Sequence, residues 1–409
     1  MEERLGAMTN KDVFVRFIPI LFYFIASFTG TLAFRLSIPV MAFYTREVLG
    51  ATSFIITLMF ISFMVSRALT AIITGYIIDK LPKLIFIAPI TMLINTPITY
   101  LYSFSSSWID VVILRLIQGI CNGSSWPLVQ LSLAQITPKN IRGRILSIYF
   151  TIGSIAAISA NAIYILIINY PLITKLTISS ILFGLTSVLI LFGLILSYGH
   201  ELTLSTKTKY RGTKTKTLSS FSDLSAIIGS FVCSSLTSIT LGDIAYVYIS
   251  ETLGVSKALA AQIIMYSSIA GFICSYFISW YADKVSTINA LNLSILLATI
   301  SVPLISIRNF MSIVLGFSLA SIGIKSFTPI SRRYFTTYSR SPATGIGLIN
   351  ASSNMGTSGG QLIFGYIYDL TKGMALNLNS VLNINISPLM LMPIASIYVM
   401  IYLEYKRQY

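Results

Sequence analysis

Four basic residues stand where apolar sequence would normally exclude them: Arg35, Arg67, Arg115 and Lys325 each lie inside a long hydrophobic run. A charge held at mid-bilayer costs at least about 2.5 kcal/mol, so such a side chain faces a cavity, a partner or a solute path. Arg35 has Thr31 one turn before it, Phe24 and Phe28 on nearly the same face, and Pro39 one turn later as a bend. Arg115, Gln118, Asn122, Trp126 and Gln130 follow helical spacing and form one polar stripe, expected to be wet and to line a cavity. Asp110, five residues before Arg115, is the competing partner for that arginine. Lys325 shares a face with Ser318, Ser321 and Thr328, just ahead of Pro329. Asp243, on a stripe with Thr240, Tyr246 and Ser250, is the acid best placed to hold a proton with a raised pKa. Two readings stand for each of the remaining candidates. Arg35 meets a solute anion or pairs with an acid from another helix. Lys325 lines a cavity or snorkels to the inner surface, and Asp243 holds a proton or is solvated near a helix end. Arg67 reads as a structural pair or a snorkelling side chain.

The elements that must position these residues follow from composition. Of 409 residues 55% are apolar and 10% charged, well below the charge of a soluble domain. Mean hydropathy is +0.81, carried by apolar runs of about 20 residues, long enough to cross a bilayer. Twelve such runs are counted, at approximately 14–42, 52–77, 84–104, 109–134, 145–169, 173–198, 223–249, 258–281, 287–306, 310–330, 342–368 and 386–404. In hydrocarbon the backbone must bond to itself, so these segments are expected as helices. The expectation is an all-α membrane protein with twelve transmembrane helices. The acidic start, MEERLGAMTNKDVF, lacks a basic secretory leader, so the first helix is expected to be retained.

Several classes are excluded on the same grounds. The net charge of +15 would point to nucleic acid in a soluble chain, but here the basic residues sit between apolar runs and report topology. Cys121, Cys233 and Cys274 lie singly inside apolar runs, which indicates neither a disulfide framework nor a zinc site. The lone His200 has no Cys or acidic cluster around it. No cofactor is expected, and no HExxH, GxSxG or GxxxxGK[ST] pattern supports an enzyme or direct ATP drive.

Nineteen Lys and Arg fall at the ends and in the even-numbered connections, against five in the odd ones, so both termini are expected on the cytoplasmic side of the cell membrane. The longest polar connection contains KTKYRGTKTKT and divides the chain into bundles at 1–198 and 223–409, joined by a basic cytoplasmic linker at 199–222. An internal repeat supports the division. Tyr44, Glu47, Leu49 and Gly50 recur 204 positions later as Tyr248, Glu251, Leu253 and Gly254, and Asp79-Lys80 recurs as Asp283-Lys284. At offset 202, Pro127 meets Pro329 and Gly143 meets Gly345. An even number of helices separates the copies, so both halves keep one orientation, the parallel-repeat pattern of two pseudo-symmetric six-helix bundles.

Three segments carry a family resemblance. Gly75-Tyr-Ile-Ile-Asp79-Lys80-Leu-Pro82-Lys83, with the weaker Ser279-Trp-Tyr-Ala-Asp283-Lys284, resembles the cytoplasmic loop signature of the major facilitator superfamily. Arg115-Leu-Ile-Gln118-Gly119 resembles that superfamily's fourth-helix motif, and Pro138-Lys-Asn-Ile-Arg142-Gly143-Arg144 the loop that follows. The resemblance implies helices one, four, seven and ten around a central cavity, with Arg35, Arg115, Gln118, Asn122, Trp126, Asp243, Tyr246 and Lys325 on it. It implies a cytoplasmic gate at Gly75, Asp79, Lys80, Lys83, Asp283, Lys284 and Arg142, where Asp79 bonds a helix amino terminus or an Arg. The loop signature departs at Pro82, Lys83 and Leu84, and helix five has no proline from Ser147 to Tyr170, which counts against drug–proton antiport.

The expected function is secondary transport of a small solute by alternating access, with a small organic anion favoured by the basic excess and a coupling proton at an internal acid. Efflux of hydrophobic or cationic compounds is the alternative within transport, and a non-transporting receptor or assembly factor the alternative outside it. The expected partners are the lipid bilayer and the solute, with the protein a monomer. Gly119 and Gly123, and Gly356 and Gly360, have the GxxxG spacing that lets helices approach closely.

Overall fold

A computed structural model describes residues 10–137, 142–201, 221–338, 342–373 and 383–408. Among the described residues the regular elements are helical, apart from an isolated bridge between Ile307 and Ile384. The longer helices are α1 (Asn10–Glu47), α2 (Ser53–Lys80), α3 (Ile87–Leu101), α4 (Trp108–Ile136), α5 (Arg142–Leu166), α6 (Leu172–Glu201), α7 (Phe221–Leu236), α8 (Ile244–Leu253), α9 (Lys257–Lys284), α10 (Thr287–Ser306), α11 (Phe310–Tyr338) and α12 (Pro342–Gly373). The short α13 (Ile386–Leu389) and α14 (Met392–Gln408) close the chain. Nine spans among the described residues are long and apolar enough to cross a membrane, which makes this a multi-pass membrane protein.

The helix starts and stops follow local chemistry. Ser107 caps α4 in a reciprocal capping box with Asp110, Ser256 caps α9 and Ser286 caps α10. Gly50 and Gly254, repeat-related at offset 204, both take left-handed φ values, +65° and +63°, where a side chain would be strained. The segment expected as one helix at 223–249 is instead broken between Leu236 and Ile244, with a 3-10 turn at Ser238–Thr240. Thr237, Thr240 and Gly242 cluster there, and the two threonine hydroxyls bond main-chain carbonyls one turn back.

Contacts divide the chain into two compact units, 1–40 with 62–211 and 41–61 with 212–409. Residues 41–61 thus leave the 1–198 half in which sequence places them. Asp369 of α12 accepts the Ser53 and Phe54 main-chain N–H groups at 2.8 and 2.7 Å and so caps α2 from within the second unit. Gly365 gives the same corner its close approach, since a Cβ there would stand 2.6 Å from Thr57 Oγ1. Of the expected linker, 202–220 lies outside the described residues.

The first unit's core joins Tyr23, Ala26, Ala33, Met92, Leu128, Val129 and Phe183. The second unit's joins Val232, Leu236, Ile295, Ala298, Phe327 and Tyr398. Both GxxxG pairs meet main chain. A Cβ on Gly119 would come 2.4 Å from the Phe63 carbonyl oxygen, and one on Gly123 the same distance from that of Arg67, so α4 crosses α2 there. Gly356 and Gly360 meet the Phe231 and Ser235 carbonyls of α7 in the same way.

Candidate functional site

In the first unit the polar stripe of α4 turns inward. Arg115, Gln118 and Asn122 are 1%, 0% and 2% exposed, and their partners come from α3 and its carboxyl end. Gln118 Oε1 accepts both Arg115 Nη1 (3.0 Å) and the Tyr102 hydroxyl (3.1 Å), while Gln118 Nε2 donates to Thr99. Asn122 donates to Asn95 at 3.1 Å and accepts Trp126 Nε1 at 2.9 Å. The Arg115 guanidinium lies 5.5 Å from the Phe34 ring centroid and 5.6 Å from that of Tyr102, with Phe34 stacked on Phe63. Over Arg115, Gln118 and Asn122 the expected wet face is instead a closed polar seam, because α3 supplies complementary amides and hydroxyls that replace water, whereas Trp126 and Gln130 further along α4 stay partly exposed. Asp110 is engaged in the α4 cap, through Ser106 and Ser107.

Arg35 on α1 is partly exposed, and it lies within electrostatic reach of Arg67 on α2. Tyr149 of α5 also feels the Arg67 charge and bonds Gln130 of α4. Four helices of this unit thus contribute to one basic, hydroxyl-bearing cluster. Tyr149 and the Arg67 partnership were not legible beforehand, since nothing in the spacing of α2 or α5 marks them.

In the second unit Asp243 is 2% exposed at the start of α8 and Tyr246 is buried one turn on. Gln361 of α12, absent from the sequence-based candidates, reaches into the break and donates to the Ser238 carbonyl at 3.0 Å. Lys325 donates to the Ser268 carbonyl of α9 at 2.7 Å, and Ser318 bonds Ser267, so this face of α11 packs on α9. Asp283 pairs with Arg333 of α11, the kind of Asp–Arg contact expected of the loop signature. Lys83 and Lys284 are exposed, and Gly75 has open space around it. The side chains of Asp79, Lys80 and Arg142 lie outside the described residues.

A second polar group gathers beyond the apolar run of the broken helix. Glu251 accepts Arg46 at 2.6 Å, Lys372 at 2.6 Å and the Tyr368 hydroxyl at 2.9 Å, and Lys257 pairs with Glu47 at 2.5 Å. Burial pushes the Glu251 carboxyl up, but the Arg46 and Lys372 bonds outweigh it and hold it below its ordinary value. Glu47 and Glu251 carry the repeat, and each carries an ion pair. Among the described residues no group of three His, Cys, Asp or Glu side chains is arranged to hold a metal.

The chain is thus a helical membrane protein with an internal repeat, an Asp–Arg contact at the loop signature and basic residues within apolar helices. The Major Facilitator Superfamily model matches residues 23–361, and the chain belongs to that family. An uncharacterised MFS-type transporter of Methanocaldococcus jannaschii is 31% identical over 140 residues, 34% of this chain and 34% of that relative's length. Among solved structures, the nucleoside transporter NupG superposes with a TM-score of 0.70 at 14% identity, covering 96% of this chain and all of that one. A D-xylose-proton symporter gives 0.66 at 13% identity, with 94% and 97% covered. These likenesses establish the fold.

Proposed function

We propose that the protein moves a small organic anion across the cell membrane by alternating access between two six-helix bundles, 1–198 and 223–409, with the corner at 41–61 held by the second unit and both termini cytoplasmic. The observation that carries the anion is the Arg35–Arg67 pair. Two basic side chains on neighbouring helices within apolar sequence lie within electrostatic reach of each other, and an anion is the solute such a basic cluster favours. Tyr149 and Gln130 add neutral hydrogen-bonding groups of the kind that orient a bound solute. The closed seam around Arg115 acts as the rigid backing of this cluster, and Asp283 with Arg333 as half of the cytoplasmic gate. Asp243 carries the coupled ion, a proton in the simplest case.

The test is thermal stability of the detergent-purified protein against organic anions and lipophilic cations, repeated with Arg35→Gln, followed by uptake into proteoliposomes. A ligand at about 100 times its Kd adds roughly 2.7 kcal/mol, a readable shift. Stabilisation by one anion class that is lost in Arg35→Gln supports the reading. Stabilisation by cations alone, or an anion effect unchanged in the mutant, removes the anion and leaves Arg35 as a structural charge.

A further inference from the structure

Four tyrosines of the second unit gather around one cleft at the end of its helices. Tyr398, Tyr402 and Tyr405 follow at helical spacing and share a face of α14, and with Tyr334 of α11 they line the cleft. Ser225 of α7 and Ile288 and Leu291 of α10 complete its wall. The floor is closed: Tyr334 and Tyr398 are 5% and 9% exposed, and the Tyr398 hydroxyl donates to Asn292 of α10 at 2.7 Å. The mouth is open, with Ile288 exposed and Tyr402 and Tyr405 half-buried. All of these residues lie in terminal turns. The apolar spans run Thr287–Ser306, Phe310–Tyr334 and Ile386–Arg407, and α7 begins at Phe221. The cleft therefore sits where hydrocarbon gives way to headgroups, the depth at which a tyrosine buries its ring and keeps its hydroxyl wet.

This end of the unit is basic. Lys284, Arg332, Arg333, Lys406 and Arg407 stand here against Asp223, Asp283 and Glu404, and Asp283 is engaged by Arg333. The stretch 202–220 that leads into α7 adds Lys207, Lys209, Arg211, Lys214 and Lys216 and no acid. Lys406 lies one turn beyond Tyr402 on the same side of α14, whereas Glu404 is turned about 200° away from Tyr402, and Asp223 as far from Ser225. The charge bordering the mouth is thus a cation. We propose that this cleft binds an anionic phospholipid, its phosphate oxygens meeting Lys406 and the hydroxyls of Tyr402 and Tyr405, and its acyl chain running along Ile288 and Leu291. Basic residues at the ends of membrane helices draw anionic headgroups, while the same charge disfavours the basic 202–220 stretch as the occupant. A zwitterionic lipid carries no net charge for Lys406 to answer. The cleft lies wholly in the second unit, and the transported solute is argued from Arg35 and Arg67 in the first, so the two readings stand or fall by separate measurements.

The experiment is thermal unfolding of the purified full-length protein in detergent micelles carrying increasing mole fractions of phosphatidylglycerol or, in parallel, phosphatidylcholine. Phosphatidylglycerol is expected to raise Tm saturably and above phosphatidylcholine. Lys406→Gln, at an exposed position, and Tyr402→Phe, which keeps the ring and loses the hydroxyl, are each expected to raise the half-saturating phosphatidylglycerol fraction about fivefold while leaving Tm in phosphatidylcholine unchanged. Arg407→Gln, a neighbouring cation turned away from the tyrosine face, and Arg35→Gln are expected to leave the response intact. Equal shifts with the two lipids would overturn the site. A phosphatidylglycerol shift untouched by Lys406→Gln and Tyr402→Phe, or weakened as much by Arg407→Gln, would overturn it as well, by assigning the effect to general attraction between the lipid and a basic surface. The same shift produced by soluble glycerol 3-phosphate would replace the lipid with a free phosphate compound.

Discussion

The α3–α4 pair of the first unit and the α10–α11 pair of the second are repeat-related, yet they close in opposite ways. Between α3 and α4 a chain of amides and hydroxyls surrounds a buried guanidinium. At offset 202 the positions of Arg115, Gln118 and Asn122 become Phe317, Ala320 and Ile324, all buried, and small residues do the packing. A Cβ on Gly323 would stand 2.8 Å from the Ser294 carbonyl oxygen, and one on Gly316 as near to the Ile305 nitrogen. The close-packed seam needs nothing but shape. The polar seam carries a desolvation cost that apolar residues of similar volume would avoid, so stability alone does not account for it. One scaffold has kept a rigid, charge-bearing face in one half and a plain packing face in the other.

The largest expected effect tests that contrast directly. Gln118→Ala strips Arg115, Tyr102 and Thr99 of a shared partner and should lower unfolding free energy by about 3 kcal/mol, read by chemical denaturation in detergent. An unchanged midpoint would mean that the network is idle and the comparison empty. Gly323→Ala, in the second unit, forces α10 and α11 apart and should cost about 2 kcal/mol, because the obstacle is main chain that cannot turn aside. If it costs nothing, the second seam is looser than its geometry implies. Asn122→Ala removes the contacts to Asn95 and Trp126 yet leaves the arginine its acceptor, so a smaller loss of about 1 kcal/mol separates the charged part of the seam from the neutral part.

The smallest effect belongs to Glu251, the second unit's own polar cluster. Its folded pKa lies below the ordinary 4.5, so its stabilisation is fully present above that pH and is lost as pH falls through the folded value. Glu251→Gln should therefore flatten the acid side of a stability–pH profile while costing about 1 kcal/mol or less at neutral pH. A mutant profile parallel to wild type would show that Arg46 and Lys372 do not hold the carboxylate in solution.

Fold class, membrane character, the repeat and the family were all readable from the chain, because each rests on local periodicity: apolar length sets a span, and spaced motifs survive without knowledge of their neighbours. The sequence by itself also determined which residues were costly to bury, among them Arg115 and Asp243. What those residues meet was decided only in three dimensions. Whether the α4 stripe faces water or α3 depends on Asn95, Thr99 and Tyr102 arriving opposite it, and no period in α4 encodes that. Gln361 escaped notice for the same reason, since it bonds Ser238, 123 residues earlier, in a break that reads as an unbroken apolar run. Likewise the corner at 41–61 belongs to the second unit because Asp369 and Glu251 hold it there, through contacts distant in sequence. Helices are written in nearest neighbours, whereas the partners that satisfy a buried polar group are supplied by tertiary packing.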